Sequence, residues 1–211
     1  FVVWTQQNET DKLVERGADE LADVLRIVRS FPQPARSRIQ QAAREYACEV
    51  IEHEWPAMAR RSASPRAAQL LDSVWIALAA FEPQTAKEQA LFGEVIARFN
   101  DLCDARTDLL HSSRMRLPPT LWILLVTGGL SIVASMYLFG LDLFWPHAVM
   151  TASMAGSVSF VMFLIQDLDT PFSGDWQVTP EPIRLVVEQL GRQMSVSPPG
   201  NQSKPTGTAN S

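Results

Sequence analysis

Two long uncharged stretches, Leu117 to Leu141 and Leu143 to Gln166, stand side by side in the chain and are separated only by Asp142. Each can cross a bilayer, because a hydrocarbon core of about 30 Å takes about 20 mostly apolar residues at a rise of about 1.5 Å each. Buried helices of water-soluble proteins rarely run so far without a charge. The pair therefore reads as a two-span membrane hairpin and not as a very apolar core hairpin. Its polar residues are Thr, Ser and His147. Hydroxyls are tolerated in such a place by bonding back to carbonyls of their own helix.

The rest of the chain is different in kind. Over 211 residues the mean hydropathy is only -0.01, too polar for an all-membrane protein and too apolar in one place for a wholly water-facing one. Charged residues lie mostly before Leu117, which predicts a water-facing helical domain there and an all-α fold overall. A net charge of -5 and the lack of a basic stripe interleaved with aromatics exclude nucleic acid as a partner. Cys48 and Cys103 have no CxxC spacing, so they read as reduced, buried thiols outside any disulfide scaffold or zinc site. The chain opens Phe1-Val2-Val3-Trp4, which reads as the tail of an apolar helix whose beginning is missing. No basic region or small-residue cleavage site marks a secretory signal there.

Helical periodicity organises the polar part. Leu13, Val14, Leu21, Val24, Leu25 and Val28 recur at helical spacings between Asn8 and Ser30, and Phe31-Pro32-Gln33-Pro34 ends that helix. A second helix is predicted from about Ala35 to Arg61, kinked at Trp55 and Pro56. Ser64 followed by Pro65 caps a third that runs through Phe81. Thr85 with Glu88 is a capping box opening a long helix with Leu91, Val95, Phe99, Leu102 and Leu109 on one stripe. His111, Arg114 and Arg116 precede the first span, whereas the loop from Gly140 to Pro146 has Asp142 and no Lys or Arg. The positive-inside rule then puts the helical domain in the cytoplasm of a multi-pass protein. The expected division is 1–7, the end of a truncated membrane helix; 8–116, the cytoplasmic domain; 117–141 and 147–166, membrane helices around an external loop at 142–146; 167–194, a cytoplasmic turn and short helix; and 195–211, a disordered tail.

Few constellations in this chain point to chemistry. Glu49, Glu52, His53 and Glu54 are the most ligand-like group, with Glu49 and His53 four apart on one helix face. A di-metal bundle repeats a Glu-x-x-His pair on a second helix, and no such repeat exists, which favours a solvated helix face. Neither a phosphate loop nor a nucleophile elbow is present, so no enzyme activity is expected and no catalytic or cofactor-binding residue is assigned. In the spans, Thr127, Ser131 and Ser135 share a face, as do Thr151, Ala155 and Ser159, with Ala152 and Gly156 alongside. Small faces of this sort suit packing of one span on the other, or a contact with a neighbouring subunit or pore. The densest signal is the membrane exit, Gln166-Asp167-Leu168-Asp169-Thr170-Pro171-Phe172-Ser173-Gly174-Asp175-Trp176. Three roles are open to it: a turn that folds the tail back with Phe172 and Trp176 as anchors, a cation site through Asp167, Asp169 and Asp175, or capping and stop-transfer. Calcium wants six to eight oxygens, and this stretch offers few carboxylates in close spacing.

That exit, together with Leu117-Pro118-Pro119-x-Leu121-Trp122, Tyr137-Leu138-Phe139-Gly140 and Glu54-Trp55-Pro56-Ala57-Met58, resembles the bestrophin-like family of prokaryotic membrane proteins, from Phe1 to about Arg192. The resemblance implies a further pair of membrane helices before the cytoplasmic region, in keeping with the apolar stub at Phe1. It also implies localisation in the prokaryotic inner membrane, the lipid bilayer as partner and a homo-oligomer. A more distant similarity to bestrophins themselves, which are pentameric anion channels, rests on Pro171, Phe172, Gly174 and Asp175. In bestrophins the corresponding motif begins an acidic cluster that helps bind calcium. Here Ser173 is inserted and Asp175 is followed by Trp176 and Gln177 in place of further acids, which counts against calcium gating. The resemblance thus implies an oligomeric anion channel, with pore-lining residues in helices that precede this chain. The contrasting expectation is a non-conducting, membrane-anchored helical scaffold that binds a cytoplasmic partner.

Overall fold

The computed structural model describes residues 2–115, 118–136, 144–168, 172 and 177–196, and every element among them is helical. Helix α1 (Val2–Val28) buries Val14, Ala18, Leu21, Leu25 and Val28, at steps of three and four, on one face. It runs unbroken from Val2. α1 packs along α5 (Ala86–Arg114), whose Val95, Phe99, Leu102, Ala105 and Leu109 form the matching stripe. The capping box expected at the start of α5 is present: Thr85 Oγ1 accepts from the Glu88 N–H at 3.1 Å, and Glu88 Oε2 accepts from the Thr85 N–H at 3.3 Å.

α2 (Ala35–Glu49) packs on α4 (Pro65–Ala79), which starts at Ser64 with the side chain accepting from the Ala67 N–H at 3.2 Å. α4 stops at Ala79 and does not reach Phe81. Phe81 turns inward and stacks on Phe31 with ring centroids 4.3 Å apart, closing the two loops against each other. Between α2 and the short α3 (Trp55–Ala59) lies a π-helical turn, Val50–Glu54. The expected kink at Trp55 and Pro56 therefore falls one turn earlier. Pro56 has no N–H to give to the carbonyl of Glu52, and the turn before it widens until the Trp55 N–H reaches the Val50 carbonyl, five residues back. α3 ends in a Schellman turn, with Ser62 N–H on Ala57 O and Arg61 N–H on Met58 O, both 2.9 Å. Arg61 occupies the left-handed position of that turn at φ 60°.

α6 (Pro119–Met136) and α7 (Phe144–Leu168) form the apolar hairpin, about 27 Å and about 37 Å long at 1.5 Å per residue. Both are long and apolar enough to cross a membrane, and they keep their apolar side chains on the outside: none of the α7 window and 6% of the α6 window is buried. Their hydroxyls bond back as anticipated, Thr127 to Ile123 O at 2.8 Å, Ser135 to Ile132 O at 2.7 Å and Ser157 to Ser153 O at 2.9 Å. The expected small-residue faces are only partly the contact. Thr127, Ser131 and Ser159 are exposed, whereas Thr151, Ala155 and Val158 are partly covered. The closest approach is at Gly129, where an added Cβ would lie 2.7 Å from Val158 Cγ1. Parts of the first span, the external loop and the 195–211 tail lie outside the described residues.

The chain then returns to the helical body. α8 (Glu181–Val196) packs across α1 and α2, and Phe172, Val178, Ile183 and Leu190 join the same core as α1 to α5. Residues 172 and 178–190 thus add to the core that α1 to α5 build.

Candidate functional site

The membrane exit places one of its aromatic anchors firmly. Phe172 is buried and meets the edge of Trp55 at 5.4 Å between ring centroids and 72° between planes. The Trp55 Nε1–H donates to the carbonyl of Val178 at 3.2 Å, so one indole holds both the residue just after α7 and the start of the path into α8. Asp167 closes α7. Asp169, Pro171, Gly174, Asp175 and Trp176 lie outside the described residues. Among the described residues no three His, Cys, Asp or Glu side chains gather as metal ligands.

A second constellation stands beside Trp55. Glu54, the last residue of the π turn, is 1% exposed and accepts a two-pronged bond from Arg106 of α5, with Nε on Oε2 at 3.1 Å and Nη2 on Oε1. Two parallel bonds between delocalised ions neutralise a carboxylate that burial alone would disfavour. Tyr46 lies in the same wall, and burial pushes its phenol above the ordinary 10.0; Arg106 pulls it back in part, while Glu54 and Cys103 add to the rise. Burial likewise raises the Cys103 thiol, reinforced by Asp104, so it stays protonated and a poor nucleophile. Both cysteines are free and half-buried, not fully buried. The cavity that Tyr46, Glu54 and Arg106 share with apolar residues of α1, α5 and α8 has a volume of about 30 Å³, room for about two waters.

The Glu49 and His53 pair is only half on the solvated face, with His53 exposed. Glu49 is buried, and its carboxylate accepts from Ser64 Oγ at 2.8 Å, with His53 Nδ1 at 3.1 Å and Arg66 Nε at 3.7 Å. The N-terminus of α4 covers it, a contact between residues fifteen apart that helical spacing does not reveal. A serine, a histidine and a carboxylate thus meet, but with the carboxylate in the middle. A nucleophile needs the base beside it, and here Ser64 spends its oxygen on Glu49 and on the α4 cap.

Arg106 is the residue that sequence reasoning passed over, and Glu54 was placed among ligand-like residues without its partner. A signal was present in both helices. Arg106 stands four after Leu102 and three before Leu109 on the buried stripe of α5, and Glu54 stands four after Val50 on the buried side of the α2 path. A charge on each of two apolar stripes, of opposite sign, marks a buried pair.

The family model of the bestrophin-like domain matches residues 1–183. The chain belongs to the bestrophin-like family. That match takes in both apolar helices, the π turn, Trp55 and the exit motif, and with the exposed apolar hairpin it makes this bestrophin-like chain a membrane protein. No curated protein and no solved structure matches the chain.

Proposed function

We propose that this bestrophin-like chain is one subunit of an oligomer in the inner membrane of a prokaryotic cell, passing anions through a pore formed by several copies. Membership of the family across residues 1–183 carries the proposal, with Pro171-Phe172-x-Gly174-Asp175 after the second span as the feature it has in common with anion-conducting bestrophins. The helical body faces the cytoplasm in this reading, because His111, Arg114 and Arg116 precede the first span in the sequence and the loop between the spans has only Asp142. Within the same reading a regulatory cation would sit at the membrane exit, on Asp167, Asp169 and Asp175. Calorimetric titration with calcium tests that part: equal affinity in wild type and Asp175→Asn removes it.

The rival reading, a non-conducting anchored scaffold, has one observation in its favour. Trp75 and Ile76 on α4 are 43% and 66% exposed on the water-facing body, an apolar spot of the kind partners use. Native mass spectrometry of the full-length protein in mild detergent separates the two, followed by current recording in planar bilayers. A pentamer with chloride current supports the channel. A monomer or dimer, or a flat trace across salts and calcium, refutes it and leaves the scaffold.

A further inference from the structure

Glu54 and Trp55 are consecutive, yet they reach opposite ends of the membrane hairpin. Glu54 grips Arg106, eight residues before α5 ends at Arg114 and so about 12 Å of helix from the approach to α6. Trp55 grips Phe172, four residues after α7 ends at Leu168, and so within at most about 14 Å of chain from it. Trp55 and Phe172 are both buried, and Glu54 is buried under an Arg106 that is itself partly covered. Between Glu54 and Trp55 lies one peptide bond, at the point where the π turn hands over to α3 and where the missing N–H of Pro56 prevents the ordinary helical register. Where the wide turn meets α3, Glu54 and Trp55 both lie on the core side, Glu54 toward α5 and Trp55 toward Phe172.

We infer that the π turn Val50–Glu54 is the coupling element of the molecule: Glu54 and Trp55 act as positioning residues that set the water-side ends of α6 and α7 relative to each other. A shift or rotation of this one turn moves both ends together, and cutting either grip frees one end. The inference concerns the hairpin alone and holds for a conducting or a non-conducting assembly.

The test is a spin-label distance measurement on the full chain in lipid nanodiscs, with Cys48 and Cys103 replaced and nitroxides at the exposed positions His111 and Gln177. Dilution with unlabelled chain suppresses distances between subunits. Trp55→Leu and Arg106→Lys should each widen the distance distribution about twofold, and the double variant more than either alone. Trp55→Phe, which keeps a ring against Phe172, should restore most of the wild-type width. Val74→Ala, a cut of comparable kind in the buried face of α4, should leave the width unchanged. Where circular dichroism shows that Trp55→Leu has lost its helix, Phe172→Leu cuts the same contact from the other side. Wild-type width in the variants of Trp55 and Phe172, or equal widening in Val74→Ala, overturns the coupling. Widening in those variants with none in Arg106→Lys overturns the second arm.

Discussion

Replacing Arg106 by methionine tests whether the buried charge pair organises this fold. The substitution keeps much of the aliphatic volume and removes the guanidinium, leaving Glu54, at 1% exposure, with no cation and two lost hydrogen bonds. Breaking one partner of a buried pair costs about 3–5 kcal/mol, because the remaining ion is stranded. For a chain of this size that corresponds to a melting temperature lower by about 10–15 °C. The control is Glu54→Leu with Arg106→Leu, which removes both charges and is expected to return to within about 1 kcal/mol of wild type. Arg98 supplies the contrast: it meets Glu20, Glu94 and Asp101 at 3.5, 2.9 and 3.7 Å but near the surface, and Arg98→Met should cost clearly less than Arg106→Met. The readout is thermal and urea unfolding of the full chain in detergent, followed by tryptophan fluorescence, with near-ultraviolet dichroism to report the Trp55 environment. A loss below about 1 kcal/mol for Arg106→Met, or a double variant as unstable as the single one, would show that the pair behaves as a surface salt bridge and that the assignment of Glu54 is wrong.

Tyr46 predicts an alkaline limit. Its phenol is raised by burial, so above pH 10.0 the unfolded chain releases a proton that the folded chain keeps, and stability falls as pH rises past that point while nothing is lost below it. Tyr46→Phe should flatten the decline between about pH 10 and 11 in urea titrations, and an unchanged slope rejects the assignment. Arg61→Gly should raise stability by about 1 kcal/mol in the same assay, because glycine takes the left-handed position of the Schellman turn without a Cβ conflict; a loss of stability would mean that the arginine side chain has a use the turn does not explain. Gly129→Ala should destabilise the hairpin by about 1–3 kcal/mol, since its Cβ would fall 2.7 Å from Val158 Cγ1 and a β-branched side chain in a helix has little rotamer freedom to yield. Val158→Ala added to it should restore the melting temperature in detergent, and a double variant no better than Gly129→Ala would place the clash elsewhere.

What the sequence made legible was local. Ser64 with Pro65, and Thr85 with Glu88, announce helix starts through bonds that span three residues, and the structure has both. Pro56 announced an irregularity but not its position, because the carbonyl it leaves unpaired is four residues upstream and the widening spreads back to Val50. The long-range contacts were not legible. Glu49 read as solvated because spacing describes one helix, and its burial comes from the start of α4 folding over it. Hydroxyl stripes on α6 read as a contact face, yet hydroxyls that bond their own carbonyls can face outward at little cost, and the close contact belongs to Gly129.

The same limit applies to the boundary drawn at residue 116, with a physical consequence. Composition changes there because the apolar helices begin, but composition reports the surroundings that a segment suits, not the core it completes. After the two apolar helices the chain comes back with Phe172, Val178, Ile183 and Leu190 and seals the body built by α1 to α5. Ile183 lines the small cavity against Tyr46, Glu54 and Arg106, and Val178 takes the hydrogen bond of Trp55. A chain cut after α5 would lose these, uncovering an indole and opening the cavity wall beside a buried ion pair. Water admitted there would screen the pair and weaken the grip of Glu54 on α5. The helical body and the hairpin are thus mutually dependent: the body holds both ends of the hairpin, and only a chain that returns after α7 completes the body.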